Sequence, residues 1–470
     1  MHPSSTDYLV IGSGATGLAF ADTLIAETSD VTVTLVDLRG RPGGHWNDAY
    51  PFVTLHQPSA FYGVNSTPLG QETIDTQGPN KGMFELASGA EVVGYFDTVL
   101  RQKLLPTGRV QYLPMTEHLG GGQLRSVLTG ESFSVEVRRR IVDARYLAPG
   151  IPALHRRKFE TAPEARVIHP RELAQIGLAP GAAPRHFAIL GAGKTAMDVA
   201  SWLLGSGVPA DRITWVMPRD SWLINRRTTQ PGMDFFHDSI GGQAVLMKAC
   251  AEAQSANDLF LRLEAAGFML RIDPAVMPRM FHFATISQGE VDELRQIRDV
   301  VRLGHVQAVE SAGVRLAEGF REMPPGTLYI DCTASAVEQR PLVPMFQPGL
   351  IVPQIVRAPL PTFSAAFVAH VEALGGDDDH KNELCRPVPF PDSPSAYPLT
   401  LLANFRNDAL WSKDKALRDW LTASRLDGFR KMVASVRPDD VEKMRVLGAI
   451  REYAPAAVGN LQRLAAARAG

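Results

Sequence analysis

The N-terminal region contains Tyr8-Leu9-Val10-Ile11-Gly12-Ser13-Gly14-Ala15-Thr16-Gly17, in which four apolar residues precede three spaced glycines. The apolar run is typical of a buried parallel strand, and the residues after Gly17 have the apolar spacing of a helix. A second apolar run at residues 31–36 predicts the next strand. The order strand, glycine turn, helix, strand is that of a βαβ unit in a doubly wound sheet.

The three glycines have separate roles in a dinucleotide-binding turn. Gly12 allows a tight turn, Gly14 lets the backbone approach a pyrophosphate, and Gly17 lets the helix pack closely against the strand. Ala15 and Thr16 begin the helix, whose free N–H groups and dipole favour bound phosphates. These residues therefore predict a dinucleotide site, the alternative being a glycine-rich turn without a ligand.

An acidic residue follows the second strand of this unit. Asp37 lies 20 residues after Gly17, where its carboxylate can accept both hydroxyls of an adenosine ribose. The same carboxylate would repel a 2′-phosphate. We therefore expect FAD or NAD at this site in preference to NADP, and we include Leu38 among the contacts.

The same pattern returns in the middle of the chain. Gly191-Ala192-Gly193-Lys194-Thr195-Ala196 follows an apolar strand at residues 187–190, with alanine in the third glycine position. A helix at residues 196–204 and a strand at residues 213–216 complete a second βαβ unit. Gly191, Gly193, Lys194, Thr195 and Ala196 are thus predicted to bind a second dinucleotide.

Arginines replace the acid at the end of this second unit. Arg219 follows the strand and Arg226 comes shortly after it. A guanidinium there can pair with a 2′-phosphate, which favours NADPH over NADH. The alternative is that Arg219 is a solvated surface cation and the second site is silent.

The two units predict an α/β protein with two doubly wound Rossmann-like dinucleotide-binding domains and a C-terminal helical segment. We expect the first part of an FAD-binding domain at residues 1–184 and an NADPH-binding domain at 185–327. A strand at residues 328–331 is predicted to return the chain to the FAD-binding domain, which continues to residue 397. Residues 398–470 are predicted to form a helical cap.

Composition excludes several classes of protein. A net charge of −2 over 470 residues gives no electrostatic signature for nucleic acid, and no apolar run is long enough to span a bilayer. The three cysteines lack paired spacing, so neither a disulfide framework, a redox dithiol nor a metal knuckle is expected. The acidic run at residues 377–379 is interpreted as a solvated loop and not as a metal site. These features favour the cytoplasm and are compatible with a homo-oligomer.

The chain resembles the class B flavoprotein monooxygenases over roughly residues 5 to 375. This group contains flavin-containing, Baeyer–Villiger and N-hydroxylating enzymes. The resemblance lies in the two fingerprints, in Gly43-Gly44-His45-Trp46, and in Asp331-Cys332-Thr333-Ala334. Only His169 remains of the histidine motif that these enzymes carry before the second fingerprint, which indicates a divergent branch.

The resemblance implies FAD and NADPH as cofactors and assigns further residues to the flavin. Gly44, His45 and Trp46 would lie along it, and the backbone of Met115 would meet the adenine. Asp331, like the stretch Ala148-Pro149-Gly150, falls where the chain closes over FAD in these enzymes.

The implied reaction is oxygenation of a small organic substrate by dioxygen through a flavin C4a-hydroperoxide. His56 and Gln57 fall where the family places an amide side chain near the reacting edge of the flavin, and they are the candidate catalytic residues. Two alternatives stay open. One is an NADPH oxidase or flavin reductase that oxygenates nothing, and the other is a non-catalytic dinucleotide-binding scaffold or sensor.

Overall fold

The computed structural model describes residues 4–147, 156–177, 184–334 and 340–467. Residues 148–150, where the resemblance implies that the chain closes over FAD, lie outside these ranges. The strands are β1 (Ser5–Ile11), β2 (Val33–Val36), β3 (Val110–Leu113), β4 (Thr116–Gly120), β5 (Gln123–Ser126), β6 (Ser132–Ser134), β7 (Glu136–Asp143), β8 (Glu160–Thr161), β9 (Arg166–Ile168), β10 (His186–Leu190), β11 (Ile213–Val216), β12 (Ser221–Asn225), β13 (Met269–Leu270), β14 (Met280–Ile286), β15 (Asp299–Val301), β16 (Val306–Glu310), β17 (Gly313–Leu316), β18 (Gly319–Glu322), β19 (Thr327–Asp331), β20 (Phe346–Gln347) and β21 (Leu350–Ile351).

The helices are interspersed among the strands up to residue 351, and the described elements after it are helices. They are α1 (Ala15–Glu27), α2 (Gly89–Val99), α3 (Pro170–Leu173), α4 (Lys194–Gly205), α5 (Phe236–Glu252), α6 (Ala256–Ala265), α7 (Gln288–Leu294), α8 (Pro361–Leu374), α9 (Asp378–Leu384), α10 (Tyr397–Trp411), α11 (Lys415–Ala423), α12 (Arg430–Ala434) and α13 (Val441–Ala466). No helix in the described ranges is both long and apolar enough to cross a membrane.

The first sheet has the order β20-β21-β7-β1-β2-β3, and all its pairs are parallel except β20 with β21. Strand β1 is buried from its second residue onward and hydrogen-bonds to β2 and β7 on its two sides. Helices α1 and α8 pack together and bury Phe20 and Phe367 in one core. The predicted doubly wound unit around the first glycine turn is confirmed.

The second sheet has the order β15-β11-β10-β19-β9, and every pair in it is parallel. It surrounds the second glycine turn as predicted. Three short sheets complete the structure, with the orders β13-β12-β14, β18-β17-β16-β8 and β4-β5-β6.

One predicted strand lies in the other sheet. Residues 328–331 were expected to return to the first unit, but they form β19, which lies between β10 and β9 in the second sheet. All five residues of β19 are buried, so the strand requires hydrogen-bonding neighbours on both edges. Among the described residues, the chain returns to the first sheet with β20 and β21, where Ile351 of β21 pairs with Val142.

The boundary at residue 184 is also wrong. Strands β8 and β9 precede it in the sequence but pair with β16 and β19 of the second unit. The second unit therefore begins at about residue 156 and ends with the segment after β19. Strand pairing between distant segments sets these limits, and no local pattern in the sequence marks them.

The C-terminal region is helical, as predicted. Helix α13 packs against α5 and α10, and Leu461 shares a core with Trp222, Phe260 and Tyr397. The acidic run interpreted as a loop instead begins a helix, because the Asp377 side chain accepts a hydrogen bond from the His380 backbone N–H and caps α9.

The close approach of Gly17 to the first turn generates a stability prediction. A Cβ on Gly17 would lie 1.9 Å from the carbonyl oxygen of Gly12, which is backbone and cannot rotate away. We expect Gly17→Ala to lower the free energy of unfolding by about 3 kcal/mol, as overpacking does. Gly94→Ala, in an exposed turn of α2 with open space around it, should instead be neutral or gain about 0.5 to 1 kcal/mol. Urea unfolding of both variants checks this, and equal stabilities would contradict it.

Candidate functional site

The first glycine turn is closed by a segment that follows it in sequence at some distance. Gly12 has a φ of +98°, a conformation that favours glycine. Gly44 approaches the same turn so closely that a Cβ on it would lie 2.9 Å from the Cα of Gly14. The structure thus brings the glycine turn and the Gly43-Gly44-His45-Trp46 segment together, with no side chain between them.

The helix that begins at this turn is left without a cap. No side chain accepts from its first N–H groups, and its first turn, with Ala15 and Thr16, contains no acid. Helix α2, by contrast, begins with a full capping box formed by Ser88 and Glu91. Uncapped N–H groups beside a cradle free of Cβ atoms fit a pyrophosphate.

Asp37 is buried and holds the first turn in place. Its Oδ2 accepts from the backbone N–H of Ser13 at 2.7 Å and from the Ser13 hydroxyl at 2.9 Å. Its Oδ1 accepts from the backbone N–H of Arg39 at 2.8 Å, which leaves that oxygen one further lone pair. Leu38, beside it, is 58% exposed, so its apolar side chain is available to a ligand.

The backbone of Met115, which the resemblance places at the adenine, makes two hydrogen bonds within the protein. Its N–H donates to the carbonyl of Arg39 at 3.1 Å, and its carbonyl accepts from Val127 at 2.7 Å. Both hydrogen bonds come from tertiary pairing of the segment after β3. The contact of the Met115 backbone with the adenine stays a prediction, for which the second lone pair of its carbonyl is available.

The Gly44–Asp48 segment is a short 3₁₀-helix that carries two aromatic rings. The Trp46 indole N–H donates to the hydroxyl of Tyr62 at 2.9 Å, which orients the indole. The His45 ring lies 5.1 Å from the Trp46 ring. Burial, with help from the nearby Arg39, lowers the pKa of His45 to about 4, so this ring is neutral at pH 7.

The second glycine turn repeats the geometry of the first. Gly191 has a φ of +129°, and a Cβ on it would lie 2.5 Å from the carbonyl oxygen of Cys332. Space around Gly193 is open, and helix α4, which begins after it, lacks a side-chain cap. Within the first turn of α4, Ala196 is fully buried and packs in the core. This turn fits a second pyrophosphate by the same criteria.

Asp331 lies at this second turn. It ends β19 opposite Leu190 of β10. Its Oδ1 accepts from the backbone N–H and the hydroxyl of Thr333, and the Arg157 guanidinium is 3.6 Å from its Oδ2. The predicted return of this strand to the first sheet is therefore wrong, whereas the contact of Asp331 with FAD stays a prediction.

Four charged side chains of the second unit form a buried chain of ion pairs. Lys194 contacts Asp198 one helical turn later and lies 3.4 Å from Glu290. Glu290 in turn lies 2.6 Å from the guanidinium of Arg226. Two positive and two negative charges thus balance in a region of low exposure.

Three residues of the first unit complete this group, which we call the junction cluster. The Tyr50 hydroxyl donates to Asp198 at 2.6 Å, the His56 carbonyl accepts from Arg226 at 2.8 Å, and the Asn80 side chain accepts from Arg226 at 3.1 Å. The junction cluster consists of Tyr50, His56, Asn80, Lys194, Asp198, Arg226 and Glu290. It joins the two units directly, and Tyr50, Asn80, Asp198 and Glu290 were not anticipated.

The position of Arg226 corrects its predicted role. It was expected to meet a 2′-phosphate, but its side chain is 1% exposed and its charge is compensated by Glu290. Lys194 is likewise turned into the junction cluster. Arg219, by contrast, is exposed and lines a cavity of about 770 Å³ at the carboxyl end of β11. Of the two arginines, only Arg219 is free to meet a ligand from solvent.

Of the two candidate catalytic residues, His56 belongs to the junction cluster and Gln57 follows it in the sequence. Burial and the charge of Lys194 lower the pKa of His56 to about 4. Burial raises the pKa of Glu290, but Lys194 and Arg226 overcome this effect and lower it to about 2. Gln57 is half-buried, and its side chain makes no hydrogen bond within the described residues. The site therefore contains a neutral imidazole and a free amide.

Two spacings in the sequence could have revealed part of this cluster. Asp198 follows Lys194 by four residues, which places both on one helix face. Ser287 and Glu290 have the spacing of a capping box, which forms at the start of α7. Nothing local indicates that these two helices meet Arg226.

Comparison with known proteins gives one family model and several relatives. The model described as an NAD(P)-binding Rossmann-like domain matches residues 10–64. The Mycobacterium tuberculosis (strain ATCC 25618 / H37Rv) protein described as uncharacterized protein Rv2000 is 47% identical over 441 residues, which cover 94% of this chain and 80% of that protein. The Mycobacterium bovis protein described as uncharacterized protein Mb2023 gives the same values.

Solved structures of flavin enzymes also align with the chain. They include a flavin-containing monooxygenase from Stenotrophomonas maltophilia, with 15% identity, a TM-score of 0.44, and coverage of 81% of this chain and 99% of that one. A steroid monooxygenase bound to NADP gives 12% identity, a TM-score of 0.47, and coverage of 97% and 98%.

The ion pair in the junction cluster generates a second stability prediction. We expect Glu290→Gln to lower the free energy of unfolding by about 3 kcal/mol at pH 7, because it leaves Arg226 buried without a counter-charge. Glu293→Gln, on the same helix, is the matched control. Burial and Glu290 raise the pKa of Glu293, so its neutralisation should be neutral or slightly stabilising. Equal losses in urea unfolding would contradict the assignment.

The neutral His56 generates a pH prediction. Its pKa is about 4 in the folded chain and about 6.5 when unfolded, so the unfolded chain binds a proton that the folded chain excludes. Stability should therefore fall as the pH drops from 6.5 towards 4. We expect His56→Gln to reduce this loss by about 1 kcal/mol, while His305→Gln, at an exposed position, leaves it unchanged. Thermal unfolding at pH 7 and pH 5 measures the difference, and parallel losses in all three proteins would refute it.

Proposed function

The chain belongs to the family that includes the Mycobacterium tuberculosis protein Rv2000, and we propose that it is an FAD-dependent, NADPH-consuming oxidoreductase of the monooxygenase type. The observation that carries the proposal is the pair of uncapped glycine turns whose neighbouring strands end in opposite charges, Asp37 and Arg219. An acid fits a free ribose and an arginine fits a 2′-phosphate. The two sites are therefore matched to two different dinucleotides.

The first unit would hold FAD. Gly12, Gly14 and the N-terminal turn of α1 would receive its pyrophosphate. The free lone pair on Asp37 Oδ1 would accept from a ribose hydroxyl, while the other oxygen keeps the turn closed. Exposed Leu38 would cover the adenosine.

The flavin ring would lie along the Gly44–Asp48 segment. Gly44 lets this segment pack against the first glycine turn, and the Tyr62 hydrogen bond fixes the Trp46 indole. When bound, FAD would accept hydride from NADPH and then react with dioxygen. A neutral His45 adds no charge to this environment.

The second unit would hold NADPH. Gly191 lets the turn pack against the Cys332 carbonyl, Gly193 leaves the turn open to a pyrophosphate, and the uncapped N-terminus of α4 supplies N–H groups. Arg219 would pair with the 2′-phosphate from the cavity at the end of β11. Lys194 and Thr195 lie in the first turn of α4, but the Lys194 ammonium group is paired with Asp198 and Glu290 in the junction cluster.

The junction cluster would fix the position of the two dinucleotide sites relative to each other. Arg226 crosses from the second unit to the His56 carbonyl of the first, and its counter-charge Glu290 is buried with it. Gln57, next along the chain, has a free amide that would hydrogen-bond the substrate or the flavin edge. We propose a small organic molecule and dioxygen as co-substrates, with Gln57 orienting the reactants and His56 kept neutral.

Anaerobic mixing with reduced nicotinamides tests the proposal. We expect purified protein reconstituted with FAD to be reduced by NADPH and much less readily by NADH, as followed by flavin absorbance. Arg219→Ala should weaken the apparent NADPH affinity by about 10-fold, the value of one lost charge-assisted pair, and leave NADH unchanged. Failure to bind FAD, or an equal loss for both nicotinamides, would refute it.

A product balance distinguishes oxygenation from simple oxidase activity. With sulfide, amine and ketone substrates in air, a monooxygenase consumes NADPH in proportion to the oxygenated product and releases little peroxide. An NADPH oxidase releases peroxide in proportion to NADPH whatever compound is added. The second result with every substrate would refute the monooxygenase assignment while leaving the two cofactor sites intact.

A further inference from the structure

Three arginines from distant parts of the sequence meet at the carboxyl end of β11. Strands β12 and β14 run parallel with Ser221 opposite Met280, so the residues before them are also neighbours. The backbone N–H of Arg279 donates to the carbonyl of Asp220 at 3.1 Å. Arg279 is therefore held beside Arg219, although 60 positions separate them in the sequence.

The third arginine, Arg302, is already satisfied. It follows β15, and its guanidinium makes two hydrogen bonds to Asp220, at 2.8 and 3.0 Å. It also lies 3.2 Å from Asp273. Because two carboxylates compensate its charge, Arg302 is not free for a ligand. Its contacts with Asp220 and Asp273 instead hold together the two segments that carry Arg219 and Arg279.

Arg219 and Arg279 are in the opposite situation. Both are exposed, both line the cavity of about 770 Å³, and neither forms an ion pair or side-chain hydrogen bond within the described residues. The carboxylates that line the cavity are Asp220, which Arg302 occupies, and the exposed Glu318. Two positive charges that line one cavity repel each other, and a bound dianion would relieve that repulsion.

We propose that Arg279 and Arg219 together clamp the 2′-phosphate of an adenosine, with Arg279 as a second determinant of specificity. The inference rests on the proposed binding of NADPH at the second glycine turn. The end of β11 is where the fold places the adenosine ribose of a dinucleotide. A phosphate monoester dianion has enough acceptor oxygens to take N–H donors from both guanidinium groups.

Calorimetric binding of 2′,5′-ADP and of 5′-AMP to the full chain tests the clamp without requiring flavin or turnover. We expect Arg279→Ala to weaken binding of 2′,5′-ADP by about 10-fold and to leave 5′-AMP unchanged. Arg298→Ala is the matched control. Exposed Arg298 precedes β15, so it lies at the amino ends of the parallel strands, away from their carboxyl ends, and it does not line the cavity. It should bind both ligands like the unaltered chain.

Raised salt should weaken 2′,5′-ADP binding more in the unaltered chain than in Arg279→Ala, because one charge pair is missing in the variant. The clamp is overturned if Arg279→Ala behaves like Arg298→Ala, or if it loses affinity for both nucleotides equally. Absence of any 2′,5′-ADP binding by the unaltered chain also overturns it. Normal 2′,5′-ADP binding by a chain that takes up no FAD would instead refute the proposed oxidoreductase and support the clamp.

Discussion

The buried ion pair between Arg226 and Glu290 is the contact on which the relation of the two units depends. A guanidinium removed from water is strongly destabilising unless it is paired and hydrogen-bonded. Arg226 pairs with Glu290 and donates hydrogen bonds to the His56 carbonyl and the Asn80 side-chain oxygen. These partners come together where the two units touch. Separation of the units would break the hydrogen bonds from Arg226 to His56 and Asn80. Polar contacts as well as apolar ones therefore hold the units together. Lys194, in the first turn of α4, connects the second glycine turn to the same contact.

The glycine turns depend on a second constraint, the close approach of backbone to backbone. Gly44 lies against Gly14 in the first unit, and the Cys332 carbonyl lies against Gly191 in the second. In both cases a side chain would force the segments apart. The resulting cradles expose helix N-termini without caps, and this combination makes both turns suitable for pyrophosphates.

Burial, more than residue type, decides what each charged group can do. Arg219 and Arg226 are seven positions apart in the sequence, yet one is exposed at a cavity and the other is fully enclosed. Asp37 combines two tasks, because two hydrogen bonds to its Oδ2 hold the glycine turn at Ser13 while one lone pair of its Oδ1 stays available. The proposed discrimination between dinucleotides thus depends on a few groups whose charge or lone pairs are not already used within the protein.

The sequence by itself determined both βαβ units, the two glycine turns, the opposite charges after their strands, and the helical C-terminal region. These features follow from apolar periodicity and from backbone sterics, which act over a few residues. Only the tertiary structure decided that β19 belongs to the second sheet, that Arg226 is buried, and that the Met115 N–H is occupied. Each of these depends on a hydrogen-bonding partner or a packing neighbour supplied by a segment far along the chain. The pairing of Arg279 with Arg219 belongs to the same group, because strand register and not sequence distance brings them together.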